Sequence, residues 1–184
     1  MKAPLSVLAI LLFTNQGIAL GAACGAVRQA AVDPCSLLND HEVRQSFPRA
    51  GAAERNRRVE KDGAAGCQWR NDKGIVLLQL ILYEGPPRSV RRESQAFSHA
   101  MIDTARVEAP DAIRYEPIDS LGDEAVAVVE RTDQAKGLLG NVAFLVAQRG
   151  TRLLFISSAD LAGRDRAAAL KALEALGRAA VNRL

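Results

Sequence analysis

Few residues in this chain could do chemistry, and their spacing fits no common catalytic set. Asp123 and Glu124 are adjacent carboxylates, the best pair for general acid and base work. Sequence neighbours on a turn point apart, and Gly122 just before them is turn chemistry, so the competing expectation is a tight link between strands. The two histidines, His41 and His99, fall on helical segments and read as surface residues rather than bases. Ser157-Ser158 lacks the flanking glycines of a nucleophile elbow. Gly137-Leu138-Leu139-Gly140 lacks the Lys-Ser/Thr of a phosphate loop. The three cysteines, Cys24, Cys35 and Cys67, contain no Cys-x-x-Cys redox pair. No second cysteine or histidine stands at ligand spacing from any of them. The expectation is no catalytic residue, no metal site and no cofactor.

The cysteines make sense with the N-terminus. Lys2, an apolar run over 4–13 and the small residues Gly17, Ala19, Gly21, Ala22 and Ala23 read as a signal peptide over 1–23. The run is shorter than the roughly 20 residues of a membrane span. An uncleaved anchor is the alternative, against which Thr14-Asn15-Gln16-Gly17 interrupts the run. The cleavage point is open, since Gly17 and Ala19 serve as well as Gly21 and Ala23. Leu20-Gly21-Ala22-Ala23-Cys24 resembles a lipoprotein box with its leucine one position early, which makes Cys24 a candidate for lipidation; otherwise it lies in a free tether over 24–32. Three thiols in an exported chain predict one bridge and one left over. Cys35 and Cys67 both lie inside the folded part and are the expected pair, with Cys24–Cys35 as the alternative.

A net charge of +3 is too small to argue for nucleic acid or an anionic membrane. The charge is instead local. Arg55, Arg57, Arg58 and Lys61 cluster in the polar stretch 49–66, balanced by Glu54, Glu60 and Asp62. Arg88, Arg91 and Arg92 gather where a helix begins, the end at which the helix dipole disfavours cations. These six arginines are the candidate partner-binding residues, against the reading of a solvated surface. No aromatics interleave the cluster in 49–66, so the stacking platform of a single-strand binder is missing.

The elements that must position these groups follow from periodicity and turn chemistry. Asn39 and Glu42 form a capping box, Val43 and Phe47 share one helix face, and Pro48 ends that helix. Residues 49–66 read as a loop with an edge strand near 57–59. A hairpin over 67–83 turns at Asn71-Asp72-Lys73-Gly74; Val76, Leu78, Leu80 and Leu82 point one way, and Ile75, Leu77, Gln79 and Ile81 the other. With Gln79 its single polar residue, the second strand is expected to be central and covered on both faces. Gly85-Pro86-Pro87 opens a helix over 89–104 with a stripe of Val90, Phe97 and Met101, alongside Ala96 and Ala100. Strands are expected over 113–118, where Pro117 marks an edge, and over 125–130. After a loop over 132–140, a second hairpin (142–147 and 153–157) turns at Gly150-Thr151. A last helix over 164–182 carries Leu170, Leu173, Leu176 and Ala180, with Gly177 weakening its final turns. One α+β domain over 33–184 is predicted: a mixed, largely antiparallel sheet with helices packed on it, in which hairpin-then-helix occurs twice.

Three short motifs carry a resemblance: Asp33-Pro34-Cys35-Ser36-Leu37-Leu38 with Glu42-Val43, then Gly66-Cys67-Gln68-Trp69, then Leu121-Gly122-Asp123-Glu124-Ala125. Together they resemble a domain-of-unknown-function family of small exported bacterial proteins, many of them lipoproteins. The resemblance implies a paired Cys35 and Cys67 and a PsbP-like α+β sandwich, and it carries no activity. The functional expectation is a non-enzymatic, periplasmic or secreted module that binds a protein or an apolar ligand in the cell envelope, touching membrane only through a lipid on Cys24. The alternative is a periplasmic inhibitor or immunity protein that neutralises a toxin or hydrolase.

Overall fold

The computed structural model describes residues 32–60, 64–105, 113–130, 143–162 and 165–184. The expected leader over 1–23, Cys24 and the expected tether up to residue 31, Lys61, Asp62 and the expected loop over 132–140 lie outside the described residues, as do the side chains of Ala100 and Met101.

Seven strands form one sheet: β1 (Ala53–Arg55), β2 (Ala65–Arg70), β3 (Val76–Glu84), β4 (Ile113–Pro117), β5 (Glu124–Glu130), β6 (Ala143–Arg149) and β7 (Arg152–Ser158). Their spatial order is β1-β2-β3-β7-β6-β5-β4. All described pairings are antiparallel, so the sheet is purely antiparallel rather than mixed. The chain enters as a meander from the β1 edge to β3 at the centre. It then crosses to the far edge through α3 (Val90–Ala105) and returns as a second meander whose last strand, β7, lies against β3. The expected edge position of the strand ending at Pro117 is correct: β4 is the outermost strand.

One face of the sheet is fully dressed. Leu78, Leu80 and Leu82 of β3 meet Cys67 and Trp69 of β2, Leu145 of β6 and Ile156 of β7. Over them lie a 3-10 turn (Pro34–Ser36), α1 (Asp40–Ser46), α4 (Ala159–Ala162) and α5 (Arg166–Val181). The Cys35–Cys67 disulfide, with Cα atoms 5.1 Å apart, ties the 3-10 turn to β2. Trp69, fully buried, donates its indole N–H to Asp40 Oδ1 at 3.1 Å, and the amide of Ala53 donates to the same oxygen. One carboxylate thus joins α1, β1 and β2. The capping box forms as predicted, with Glu42 Oε2 accepting from the Asn39 amide and Asn39 Oδ1 from the Glu42 amide. Arg183 grips the Glu42 carboxylate with both terminal nitrogens, at 2.7 and 2.8 Å, and so closes the C-terminus onto α1.

Several local expectations are corrected. The edge strand near 57–59 is instead β1 at Ala53–Arg55, and Arg57–Glu60 is one helical turn, α2. Ile75 belongs to the turn, donating its amide to Asn71 Oδ1, and is exposed. The buried stripe of α5 is Ala169, Leu173, Leu176, Gly177, Ala180 and Val181, with Leu170 only partly buried. Gly177 does not weaken this helix. A Cβ there would stand 3.0–3.3 Å from Leu121 and Leu145, so its absence lets α5 approach the sheet. Hairpin-then-helix does recur, but the helices land on opposite faces, α5 over Leu145 and α3 over Phe144. The recurrence is one of order and not of packing.

Candidate functional site

The residues singled out for chemistry are placed as structure. Asp123 Oδ2 accepts from the Gly150 amide at 2.6 Å, and its own amide donates to the carbonyl of Gln148 at 2.7 Å. Glu124 Oε2 accepts from the amide of Val90 at 3.2 Å, where α3 begins. The two carboxylates diverge: one ties two turns together, and the other satisfies a free amide at a helix start. Gly122 sits at φ +69°, and a Cβ there would collide with the carbonyl of Gln148. His41 and His99 are both exposed, and His41 lies 3.3 Å from the Gln45 amide nitrogen. Among the described residues, no three His, Cys, Asp or Glu side chains gather as a metal site.

What stands out is the second face of the sheet. Among the described residues, α2 and α3 lie over it at two places, with depressions between them. On one side α3 lies over β5 and β6, where Val90 joins Val126, Val128, Phe144 and Val146. On the other, α2 sits on β2: Val59 packs in the same cluster, and Gly66 has no Cβ because one would collide with Val59. Between the two helices the floor is β3 and β7. The register sets Gln79 opposite Ser157 and Ile81 opposite Phe155 on this face, with Tyr83 opposite Leu153 beyond them. Two depressions lie end to end along this strip. One, of about 170 Å³, is apolar, formed by Ile81, Tyr83, Leu153 and Phe155 and walled by Arg88, Glu93 and Phe97. The other, of about 180 Å³, is formed by Val76, Leu77, Gln79, Ser157, Ser158 and Ala159. Neither the Gln79 nor the Ser157 side chain has a hydrogen-bond partner among the described residues. The strip from Gln79 to Tyr83 runs roughly 13 Å at strand spacing.

The wall of α3 departs from expectation. Among its described side chains the buried face is Val90, Ser94 and Ser98, all at 0% exposure, while Phe97 is 37% exposed and Ala96 is exposed. Phe97 stands edge-on to Phe155, with ring centroids 4.4 Å apart, and to Phe144 at 5.0 Å. It thereby forms the rim of the apolar depression instead of the middle of the interface. Ser98 Oγ donates to the carbonyl of Ser94 at 2.7 Å, and Ser94 Oγ is buried without a partner. Hydrophobicity alone placed Phe97 inside. The two serines, at helical spacing from Val90, were the available sign that the stripe is rotated.

The six arginines divide by environment. Arg55 lies 3.7 Å from Asp33 and 3.9 Å from Glu60, and Arg88 lies 3.7 Å from Glu93. Arg57 and Arg58 on α2 and Arg91 and Arg92 on α3 are exposed and have no ion-pair partner among the described residues. Sequence reasoning found these side chains but could not see that α2 and α3 bring them to the same face. No protein-family model, curated protein or solved structure matches this chain.

Proposed function

We propose that the chain is a non-enzymatic, exported binding module of the cell envelope, and that it docks a protein segment in the groove along β3 and β7. The observation that carries this reading is the apolar depression of about 170 Å³ on the second face, floored by the buried side chains of Ile81, Leu153 and Phe155, with Phe97 exposed at its rim. Size favours a protein over a carried small molecule. Each depression is below the roughly 300 Å³ at which small-molecule pockets begin, and a volume of about 170 Å³ suits one large apolar side chain. Export is supported by the signal-peptide pattern read in residues 1–23 and by the Cys35–Cys67 bridge, which persists in an oxidising compartment. Among the described residues no helix is long and apolar enough to cross a membrane. The resemblance to exported proteins and lipoproteins agrees with this, and a lipid on Cys24 would hold the module at the envelope. An inhibitor of a periplasmic toxin or hydrolase is the same reading with an enzyme as the partner, favoured by the exposed Arg57 and Arg58, which have no ion-pair partner among the described residues.

The test is capture of the full chain, expressed with its own leader, from envelope extract through a C-terminal tag, followed by intact-mass analysis. The expected result is one stoichiometric protein partner on the wild type that is lost on Phe97→Asp. A lone chain carrying added small-molecule mass would overturn the protein-docking reading in favour of a carrier. A catalytic activity abolished by Asp123→Ala or His99→Ala would overturn the non-enzymatic one. The same spectrum reads a lipid on Cys24.

A further inference from the structure

The two edges of the sheet end differently. At β1 the outward-facing amide of Ala53 donates to Asp40 Oδ1, so a side chain of the protein itself closes that edge. At β4 no described strand pairs on the outer side. The amide of Ile118 donates to the carbonyl of Ala125, and the β4–β5 register runs on from there without a break. Backbone groups alternate sides along a strand, so Arg114 and Glu116 turn theirs to β5, and Ile113, Tyr115 and Pro117 turn theirs outward. Pro117 has no amide to leave unmet there. The amides of Ile113 and Tyr115 have no acceptor among the described residues. α3 and α5 lie chiefly over β5 and β6. The side chains alternate as well. Arg114 and Glu116 share one face, 2.9 Å apart, where Glu116 also meets Arg166 of α5. Tyr115 is half-buried on the other face, against the cluster that contains Val128.

We infer that β4 pairs antiparallel with β4 of a second copy of this chain, about a two-fold axis at Tyr115, and so joins two sheets into one. In this register the Tyr115 amide donates to the Tyr115 carbonyl of the other copy, and the Ile113 amide to its Pro117 carbonyl. Both outward donors are met, and the missing Pro117 amide leaves only the Ile113 carbonyl to solvent. Arg114 stands opposite Glu116 of the other copy, and the two tyrosines face each other as an aromatic pair. Sliding one copy by two residues sets Arg114 opposite Arg114 or Glu116 opposite Glu116, so charge favours this register over its neighbours. Charges and a proline on an edge also guard it against indiscriminate pairing; here the guard leaves one self-complementary register. The exposed Arg114–Glu116 contact within one chain contributes little, and Arg166 holds Glu116 in place, so Arg114 exchanges its partner at small cost. The inference does not depend on the groove along β3 and β7, which lies in the middle of the sheet.

Sedimentation velocity over a concentration series tests this on the chain expressed with its own leader and carrying Cys24→Ala, which removes association through a lipid or a free thiol. A dimer is expected with a dissociation constant on the order of 10–100 µM, because one shared edge covers less than the roughly 1,200 Å² of a standard interface. Arg114→Glu and Glu116→Arg should each weaken it about tenfold or more, since like charges then face across the axis. An equal mixture of these two variants should associate again, because every Arg then faces a Glu. Trp69 fluorescence verifies that each variant is folded. Hydrogen exchange on the unaltered β4 gives a second readout. The Ile113 and Tyr115 amides should slow as concentration rises, and the Arg114 and Glu116 amides, already bonded to β5, should change far less. A chain that stays monomeric up to about 1 mM would overturn the inference. So would a dimer indifferent to both single variants, a mixture that fails to associate, or exchange at Tyr115 that does not depend on concentration.

Discussion

At the scale of single residues, this protein places its carboxylates on backbone amides and arginines rather than in a reaction centre. Asp40 is the clearest case, since Oδ1 accepts from both the buried Trp69 indole and the Ala53 amide. Asp40→Ala leaves two donors unmatched and should cost about 2–4 kcal/mol. Trp69 is the single tryptophan, so its fluorescence in urea reports this loss; an unchanged midpoint would show that solvent replaces the carboxylate. Glu42 offers a pH test. The hydrogen bond from Arg183 holds its carboxyl below the ordinary value of 4.5, against the opposing effect of burial. A depressed folded value means that the stabilisation is complete above the ordinary value and is lost as pH falls through the folded one. Glu42→Gln keeps the capping geometry and removes the charge. It should cost about 1 kcal/mol or less at neutral pH, because the pair is partly exposed. The gap between variant and wild type should close in acid. A gap that persists there would assign the loss to packing instead of charge.

The same scale contains a stabilising substitution. Ser94 Oγ is buried between α3 and the sheet without a partner. Ser94→Ala removes that desolvated hydroxyl and raises helix propensity, so stability should rise by about 1 kcal/mol. A fall in the urea midpoint would mean that the hydroxyl has a partner after all.

At the scale of elements, the chain attaches its N-terminal pieces through a few strong points. The 3-10 turn and α1 are held by the disulfide, by Asp40 and by Arg183, which together tie both ends of the folded region to β2. The bridge spans a sequence separation of 32. On the chain-entropy account its removal by Cys35→Ser/Cys67→Ser should cost about 3–4 kcal/mol, a large part of a typical 5–15 kcal/mol stability. Equilibrium urea unfolding of the variant and the wild type measures this directly. An equal midpoint would show that Asp40 and Arg183 suffice to fix these elements. By contrast, the described part of α3 buries Val90, Ser94 and Ser98 against the sheet and leaves Phe97 at the rim.

At the scale of the whole molecule, two meanders share one sheet by pairing their innermost strands, and this decides both where stability lies and where the face opens. β3 and β7 have neighbours on both sides, whereas β1 and β4 are edges. Native-state hydrogen exchange should be slowest in β3, β6 and β7 and fastest in β1 and β4; fast exchange in β3 would contradict a single cooperative sheet. The one crossover helix cannot cover the whole second face. Among the described residues α3 lies on β5 and β6 and α2 on β2, and the depressions lie over β3 and β7 between them.

The amino-acid sequence by itself determined most of the elements. Alternation over 76–82, the Asn39–Glu42 box, Pro48, the Asn71–Gly74 and Gly150-Thr151 turns and the spacing of α5 are local signals, and each acts through the backbone within a few residues. The turn expected at Gly122-Asp123 is equally local, though Glu124 already opens β5. The reach of each carboxylate, to Gly150 and to Val90, was not legible, because both partners are far away in the chain. The candidate site was legible only as a composition, an apolar strand and two sets of arginines. Tertiary structure decided that α2 and α3 flank that strand on one face and that α3 is rotated to expose Phe97. It also set the two hairpin-following helices on opposite sides. These outcomes depend on which strand returns to pair with β3, and long-range pairing leaves no periodic trace in either segment.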